Sequence, residues 1–206
     1  MKKEHSQGKN PYNICIWRPA DECKDCSIFG RLKCRFNFKD LFCFIGLSSL
    51  FFLPSFFGII RGGYGWYILG WVVFMLFFFE FWEIRIICSH CPYYAEKGRM
   101  LHCIANFGCL KIWKYNPEPM NMSEKVQLMI GVTILFGYPF PFLILGRQFI
   151  LALLAGLGAF IFFWVLYKYT CSRCVNFSCP LNHVSKDVVD EFLKRNPIIE
   201  KAFYLE

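Results

Sequence analysis

Four apolar runs, Leu41 to Ile60, Tyr64 to Trp82, Val126 to Leu145 and Phe149 to Tyr167, divide this chain of 206 residues into alternating apolar and polar stretches. Each run is about 20 residues long, enough at about 1.5 Å per residue to cross a hydrocarbon core of about 30 Å. Buried soluble helices are the competing reading, but four of them cannot all be central in a 24.3 kDa protein. Composition agrees with a membrane: 56% of residues are hydrophobic and 20% aromatic, with 25 Phe. Lipid offers no partner for exposed backbone groups, so the runs predict helices. The connections Arg61-Gly62-Gly63 and Gly146-Arg147-Gln148 are very short, which makes neighbouring helices antiparallel. The predicted fold class is therefore all-α, a four-transmembrane-helix bundle of two antiparallel hairpins with cysteine-rich metal-binding segments on the cytoplasmic side.

Sidedness follows from the basic residues. An even number of spans puts residues 1–40, the loop 83–125 and the tail 169–206 on one side, with hairpins at 41–82 and 126–168. Of the 23 Lys and Arg, 21 fall on that side, counting Lys168 at the foot of the last span, and only Arg61 and Arg147 on the other. Positive charge near span ends stays cytoplasmic, so the predicted location is the cytoplasmic (inner) membrane, multi-pass, with both termini cytoplasmic. The net charge of +8 then reflects the inside rule and attraction to anionic headgroups, and calls for no nucleic-acid partner. Residues 1–40 are polar, basic and cysteine-rich, unlike a cleavable signal peptide.

Eleven of the 12 cysteines lie in the three polar segments. The first carries Cys15, Cys23, Cys26 and Cys34. The second carries Cys88, Cys91, Cys103 and Cys109. The third carries Cys171, Cys174 and Cys179, with His183 as a fourth donor. Reduced thiols in fours bind zinc or iron–sulfur centres, and a cytoplasmic location weakens the disulfide alternative. Spacing alone does not separate the two metals. Cys91-Pro92 and Cys179-Pro180 lean toward iron–sulfur, as does the position of Cys88 and Cys171 where helices leave the hydrocarbon, the level of a quinone headgroup. Three thiols with a histidine lean toward zinc. Whether each segment is a separate site, or Cys88 and Cys91 pool with Cys171 and Cys174, stays open. No C-x-x-C-H, P-loop or dinucleotide fingerprint is present, and no histidine lies within a span, so haem and nucleotide chemistry lack anchors.

Other positions carry local expectations. Cys88-Ser89-His90-Cys91 and Cys171-Ser172-Arg173-Cys174 follow the second helix of each hairpin and suggest a duplicated unit. Pro54, Pro139 and Pro141 predict kinks, tolerable where a neighbouring helix covers the freed carbonyls. Ala152, Ala155, Gly156 and Ala159 predict a packing face on the last span. Asn37 or Asp40 caps the first span, and Ser123 the third. Cys43 reads as a small buried hydrophobe. His5 reads as a solvated tail residue, and His90 and His102 as spare ligands or hydrogen-bonded groups. Glu80, an ionisable residue near the inner end of the second span, is the candidate proton acceptor, against the alternative of an interfacial carboxylate. Val188, Val189, Phe192 and Leu193 give the tail an amphipathic helix.

The stretch Cys88-Ser89-His90-Cys91-Pro92-Tyr93-Tyr94-Ala95 resembles the membrane-bound polyferredoxins of nitrate, nitrous-oxide and cytochrome-oxidase maturation systems. Those proteins have transmembrane helices ending in cytoplasmic Cys-x-x-x-Cys-Pro motifs; here the spacing is C-x2-C-P. The resemblance implies iron–sulfur centres that pass electrons between quinol and other partners. The leading expectation is an electron-transfer protein or oxidoreductase subunit, set in the lipid bilayer and serving a quinone or partner membrane subunit and an acidic soluble electron carrier. A zinc-stabilised membrane scaffold or assembly factor is the alternative, and a quinone-linked thiol–disulfide oxidoreductase the third.

Overall fold

The computed structural model describes residues 10–204; His5 and the basic residues Lys2, Lys3 and Lys9 lie outside them. The described residues form helices and loops, with a single isolated bridge between Met100 and Leu110. The long elements are α1 (Phe38–Arg61), α2 (Tyr67–Phe77), α3 (Glu83–Ile86), α4 (Met122–Gly137), α5 (Pro139–Leu145) and α6 (Phe149–Val165), followed in the tail by α7 (Lys186–Lys194) and α8 (Pro197–Tyr204). Three helical stretches are long and apolar enough to cross a membrane: Phe38–Arg61, Met122–Leu145 and Phe149–Arg173. Only 22%, 28% and 17% of their most apolar windows are buried within the protein, so most of this apolar surface must meet an apolar solvent. Phe42, Leu53, Phe57, Ile150 and Leu153 are among the side chains it exposes. The other predicted span is helical but in pieces: α2 runs into a π-helical turn, Phe78–Trp82, and then into α3.

The prolines explain how the helices meet. Pro54 has no N–H to give to Leu50, yet α1 runs through it unbroken. The freed Leu50 carbonyl lies against Gly158 of α6, so closely that a Cβ there would overlap it. Glycine lets the neighbouring helix cover the orphan oxygen. The contact face of α6 is therefore Ala155, Gly158 and Phe162; Ala155 was expected, but the closest approach is at Gly158. Pro139 likewise leaves the Leu135 carbonyl free, at the join where α4 passes through Tyr138 into α5. The fully buried Trp71 of α2 donates its Nε1–H to that carbonyl at 3.0 Å. Gly131 of α4 receives the Phe78 ring, and Gly62 meets Gly146 backbone to backbone where the two short connections touch.

Helix starts are set locally. Asn37 caps α1, accepting from the Lys39 N–H at 2.9 Å. The cap of α4 is Asn121 rather than Ser123: Asn121 and Glu124 form a reciprocal capping box, both bonds at 2.9 Å. Cys43 corrects another expectation, since it faces outward from α1.

The three cysteine segments form one head, not three separate appendages. Ile14, Ile16 and Ile28 of the first segment share a core with Cys88, Tyr93 and Leu101 of the second and Val175, Phe192 and Leu193 of the third. Backbone bonds stitch it across the chain: Lys33 N–H to Arg173 O at 2.7 Å, and Asn116 N–H to Ser89 O at 2.9 Å. The amphipathic tail helix α7 buries Val188, Phe192 and Leu193 here, and its Asp187 and Glu191 meet Arg31 and Ser27 of the first segment.

Candidate metal centre

All 12 cysteines are free. Two groupings emerge. The first is the predicted N-terminal set: Cys15, Cys23, Cys26 and Cys34 line one cavity of about 290 Å³, edged by Arg18, Arg35 and Arg195. Asn196 holds its rim, accepting the Cys15 N–H at 2.7 Å and donating Nδ2–H to Cys15 Sγ at 3.3 Å. Arg35 reaches Cys23 Sγ at 3.5 Å. Burial pushes the Cys34 thiol up to about 12, and Cys15, Cys26 and Cys23 add to the rise.

The second grouping merges the other two segments. Burial raises Cys88, then its neighbours Glu83 and Cys103 raise it further. Cys109 is pushed up to about 12 by burial, Glu80, Glu83 and Cys103. Cys103 and the Glu83 carboxyl thus act on both Cys88 and Cys109. Besides burial, Cys174, Cys103 and Cys179 act on Cys91, while Cys179 acts on Cys171 and Cys174. Thiols of the second and third segments thus act on one another across the head.

The two C-S-x-C turns are built alike. Each follows a helical end containing a π turn, forms a 3₁₀ turn, and ends in extended backbone: φ −83°, ψ 135° at Cys91 and φ −79°, ψ 135° at Cys174. Each serine hydroxyl bonds back four residues, Ser89 to Arg85 O at 2.5 Å and Ser172 to Lys168 O at 2.7 Å. The duplicated tetrapeptide is a duplicated structure.

Nearby backbone amides oppose the burial of the thiols: those of Tyr93, Asn176, and Leu181 with Asn182 lower Cys91, Cys174 and Cys179 respectively. The amides of Asn106, Ala105 and Ile104 lower Cys103. Asn106 Nδ2–H adds a bond of 3.0 Å to Cys88 Sγ. Such bonds favour thiolate over thiol, opposing the burial that raises these groups. A bound cation tips the balance fully, because coordinated thiols are deprotonated. Among the described residues, however, no three His, Cys, Asp or Glu side chains converge as around a single bare ion.

Tyr93 stands between the groupings. Its hydroxyl donates to Lys33 O at 2.6 Å, next to Cys34, and its ring meets Trp17 edge-on at 6.0 Å. After burial, its hydroxyl is raised by Cys91 and Cys103 of one grouping and Cys34 of the other.

The remaining predicted residues are placed as follows. Glu80 accepts the Leu110 N–H at 3.5 Å, tying the central loop to the helix, and raises the neighbouring Cys109 thiol. His183 is exposed, its ring stacked on Tyr167 with centroids 4.0 Å apart. His90 is buried, with Nδ1 2.6 Å from Glu118 O, and His102 bonds Glu96 at 2.7 Å. Sequence reasoning missed Glu83, whose Oε2 is buried without a partner. Burial pushes its carboxyl up to about 7, against a hydrogen bond from Asn106 that lowers it. It also missed the asparagines. Their signal was readable: Asn106, Asn176 and Asn182 each follow a cysteine by two or three residues.

No protein-family model, curated protein or solved structure matches this chain.

Proposed function

We propose that this chain is an integral membrane iron–sulfur protein that carries electrons between a membrane quinone or partner subunit and a cytoplasmic acidic carrier. Its topology in this reading is four spans, with the cysteine head and both termini on the cytoplasmic side. The observation that carries the reading is the cavity of about 290 Å³ among Cys15, Cys23, Cys26 and Cys34. A zinc ion with sulfur ligands at about 2.3 Å closes the space between its ligands. The four thiols share this cavity with Arg18, Arg35 and Arg195, an open basic space that suits an anionic cluster of several atoms better than one closed ion. When bound, such a cluster supplies one-electron chemistry at a potential tuned by hydrogen bonds to its sulfurs.

The chain's own residues divide the work. Cys88 and Cys171 continue directly from helix ends, so the buried grouping sits where a quinone headgroup arrives. The N-terminal grouping is half-buried, and the exposed Arg35 beside it can draw an acidic carrier. Tyr93 fills the space between them. The layout of C-x2-C-P after a helix, similar to the polyferredoxins, agrees with this use.

The test is reduction of the anaerobic protein in lipid discs by a reduced quinone. Wild type should bleach and then reduce an added acidic ferredoxin. Cys91→Ser should abolish bleaching by the quinol. Cys23→Ser should retain it in the buried grouping but lose transfer to the ferredoxin. Wild-type protein that the quinol cannot reduce, or two variants with the same defect, would overturn the reading.

A further inference from the structure

A second cavity, also of about 290 Å³, lies at the end of the last span nearest the cysteine head. Phe160, Phe163, Trp164 and Tyr167 line it from one face of the helix, at spacings of three and four. Leu166 joins them where α6 widens into the π turn Leu166–Thr170. The remaining wall is Leu181 of the tail, two residues past Cys179, in a turn that the Asn182 N–H closes on Cys179 O at 3.0 Å. Phe160, Trp164 and Tyr167 are 63%, 56% and 48% exposed, so their rings are open to what the bilayer carries. Two polar groups border the cavity. The Lys168 ammonium lies 5.7 Å from the Trp164 ring centroid. The His183 imidazole stacks on Tyr167 at 4.0 Å and sets Nδ1 3.3 Å from Leu181 O. With Nδ1–H given to that carbonyl, Nε2 is left as an acceptor.

We propose that this cavity binds the ring of an isoprenoid quinone, beside the turn that carries Cys179. The inference rests on the electron-transfer reading above and gives its membrane partner a place. Aromatic walls favour a flat ring, which stacks on them, over an acyl chain, which cannot. An apolar cavity with a few polar groups at its edge is the common form of a small-molecule site, and this one is at the small end of the range. It has room for the ring, and the isoprenoid tail runs out past Phe160 into lipid. Lys168 can donate to a quinone carbonyl oxygen, and His183 Nε2 can accept from a quinol hydroxyl, so each oxidation state has its partner. A lipid phosphate would use the lysine, but it has no proton to give the imidazole and no ring for the aromatic walls.

The experiment photolabels the full chain in phosphatidylcholine discs with an arylazido ubiquinone and maps the adducts by mass spectrometry. Adducts should fall between Phe160 and Tyr167 or at Leu181, and should be competed away by unlabelled ubiquinone but not by phosphatidylglycerol. Leu181→Trp fills the cavity and should abolish this capture, while Ile150→Trp, on the exposed surface at the other end of α6, should match wild type. Lys168→Gln keeps the cavity and should weaken ubiquinone competition several-fold at an unchanged melting temperature. Adducts elsewhere, equal competition by phosphatidylglycerol, or undiminished capture by Leu181→Trp overturns the proposal. Should Leu181→Trp fail to fold, unchanged competition in Lys168→Gln overturns it instead. Binding needs no electron to move, so the two readings fail separately. Capture at this cavity in protein that quinol cannot reduce sinks electron transfer and keeps the site. Reduction by quinol with no capture here does the reverse.

Discussion

Single residues in this chain repair what other single residues break. Pro139 frees the Leu135 carbonyl and Trp71 supplies the missing donor at 3.0 Å. Trp71→Phe should then leave a buried oxygen unpaired and cost about 1–3 kcal/mol. In a Pro139→Ala background the helix donates its own N–H, so the same change should cost clearly less. Equal penalties in both backgrounds, read by denaturation in mild detergent, would refute the pairing. A second residue-scale prediction concerns the sulfurs. Asn106→Leu removes a donor from Cys88 Sγ and should lower the reduction potential of the buried grouping, because the lost bond favoured the more negative, reduced state. A redox titration with an unshifted midpoint would contradict it.

At the scale of elements, α1 and α6 meet through the carbonyl that Pro54 frees and the glycine that receives it. Gly158→Ala should push the helices apart at a cost of about 1–3 kcal/mol, because the obstacle is backbone and cannot turn aside. Gly156→Ala is the control, since a Cβ there meets only the Phe140 ring at 3.9 Å. Equal stability of the two variants would show that the close contact carries no energy. The helices themselves were legible in the sequence because apolar length and proline are local signals. The need for a covering neighbour was legible at Pro54, but the identity of that neighbour was not. Small residues on α6 recur too often for spacing to single out Gly158. The caps show the same limit: Asn121 and Ser123 both qualify by type, and only the reciprocal bond with Glu124 decides for Asn121.

Over the whole molecule, the three cysteine segments are one head with a shared apolar core. The sequence showed eleven thiols in three groups, and the four of the N-terminal group line one cavity. The other two merge, because α3 and the end of α6 deliver their C-S-x-C turns to the same place, which no local spacing encodes. Glu83 escaped notice for a similar reason: its neighbours Cys103 and Cys109 come from a loop 20 or more residues away in the chain. Sidedness is testable on intact cells. An impermeant thiol reagent should fail to label Cys23 and Cys174 until the membrane is opened; efficient labelling from outside would invert the topology. The central claim, that the thiol groupings hold iron–sulfur centres, is tested most directly by iron, zinc and acid-labile sulfide per chain in anaerobically purified protein, read beside its visible spectrum. The account predicts iron and sulfide in near-equal amounts with a broad visible absorbance that bleaches on reduction. A colourless protein whose only metal is zinc, or one with no metal at all, would contradict it.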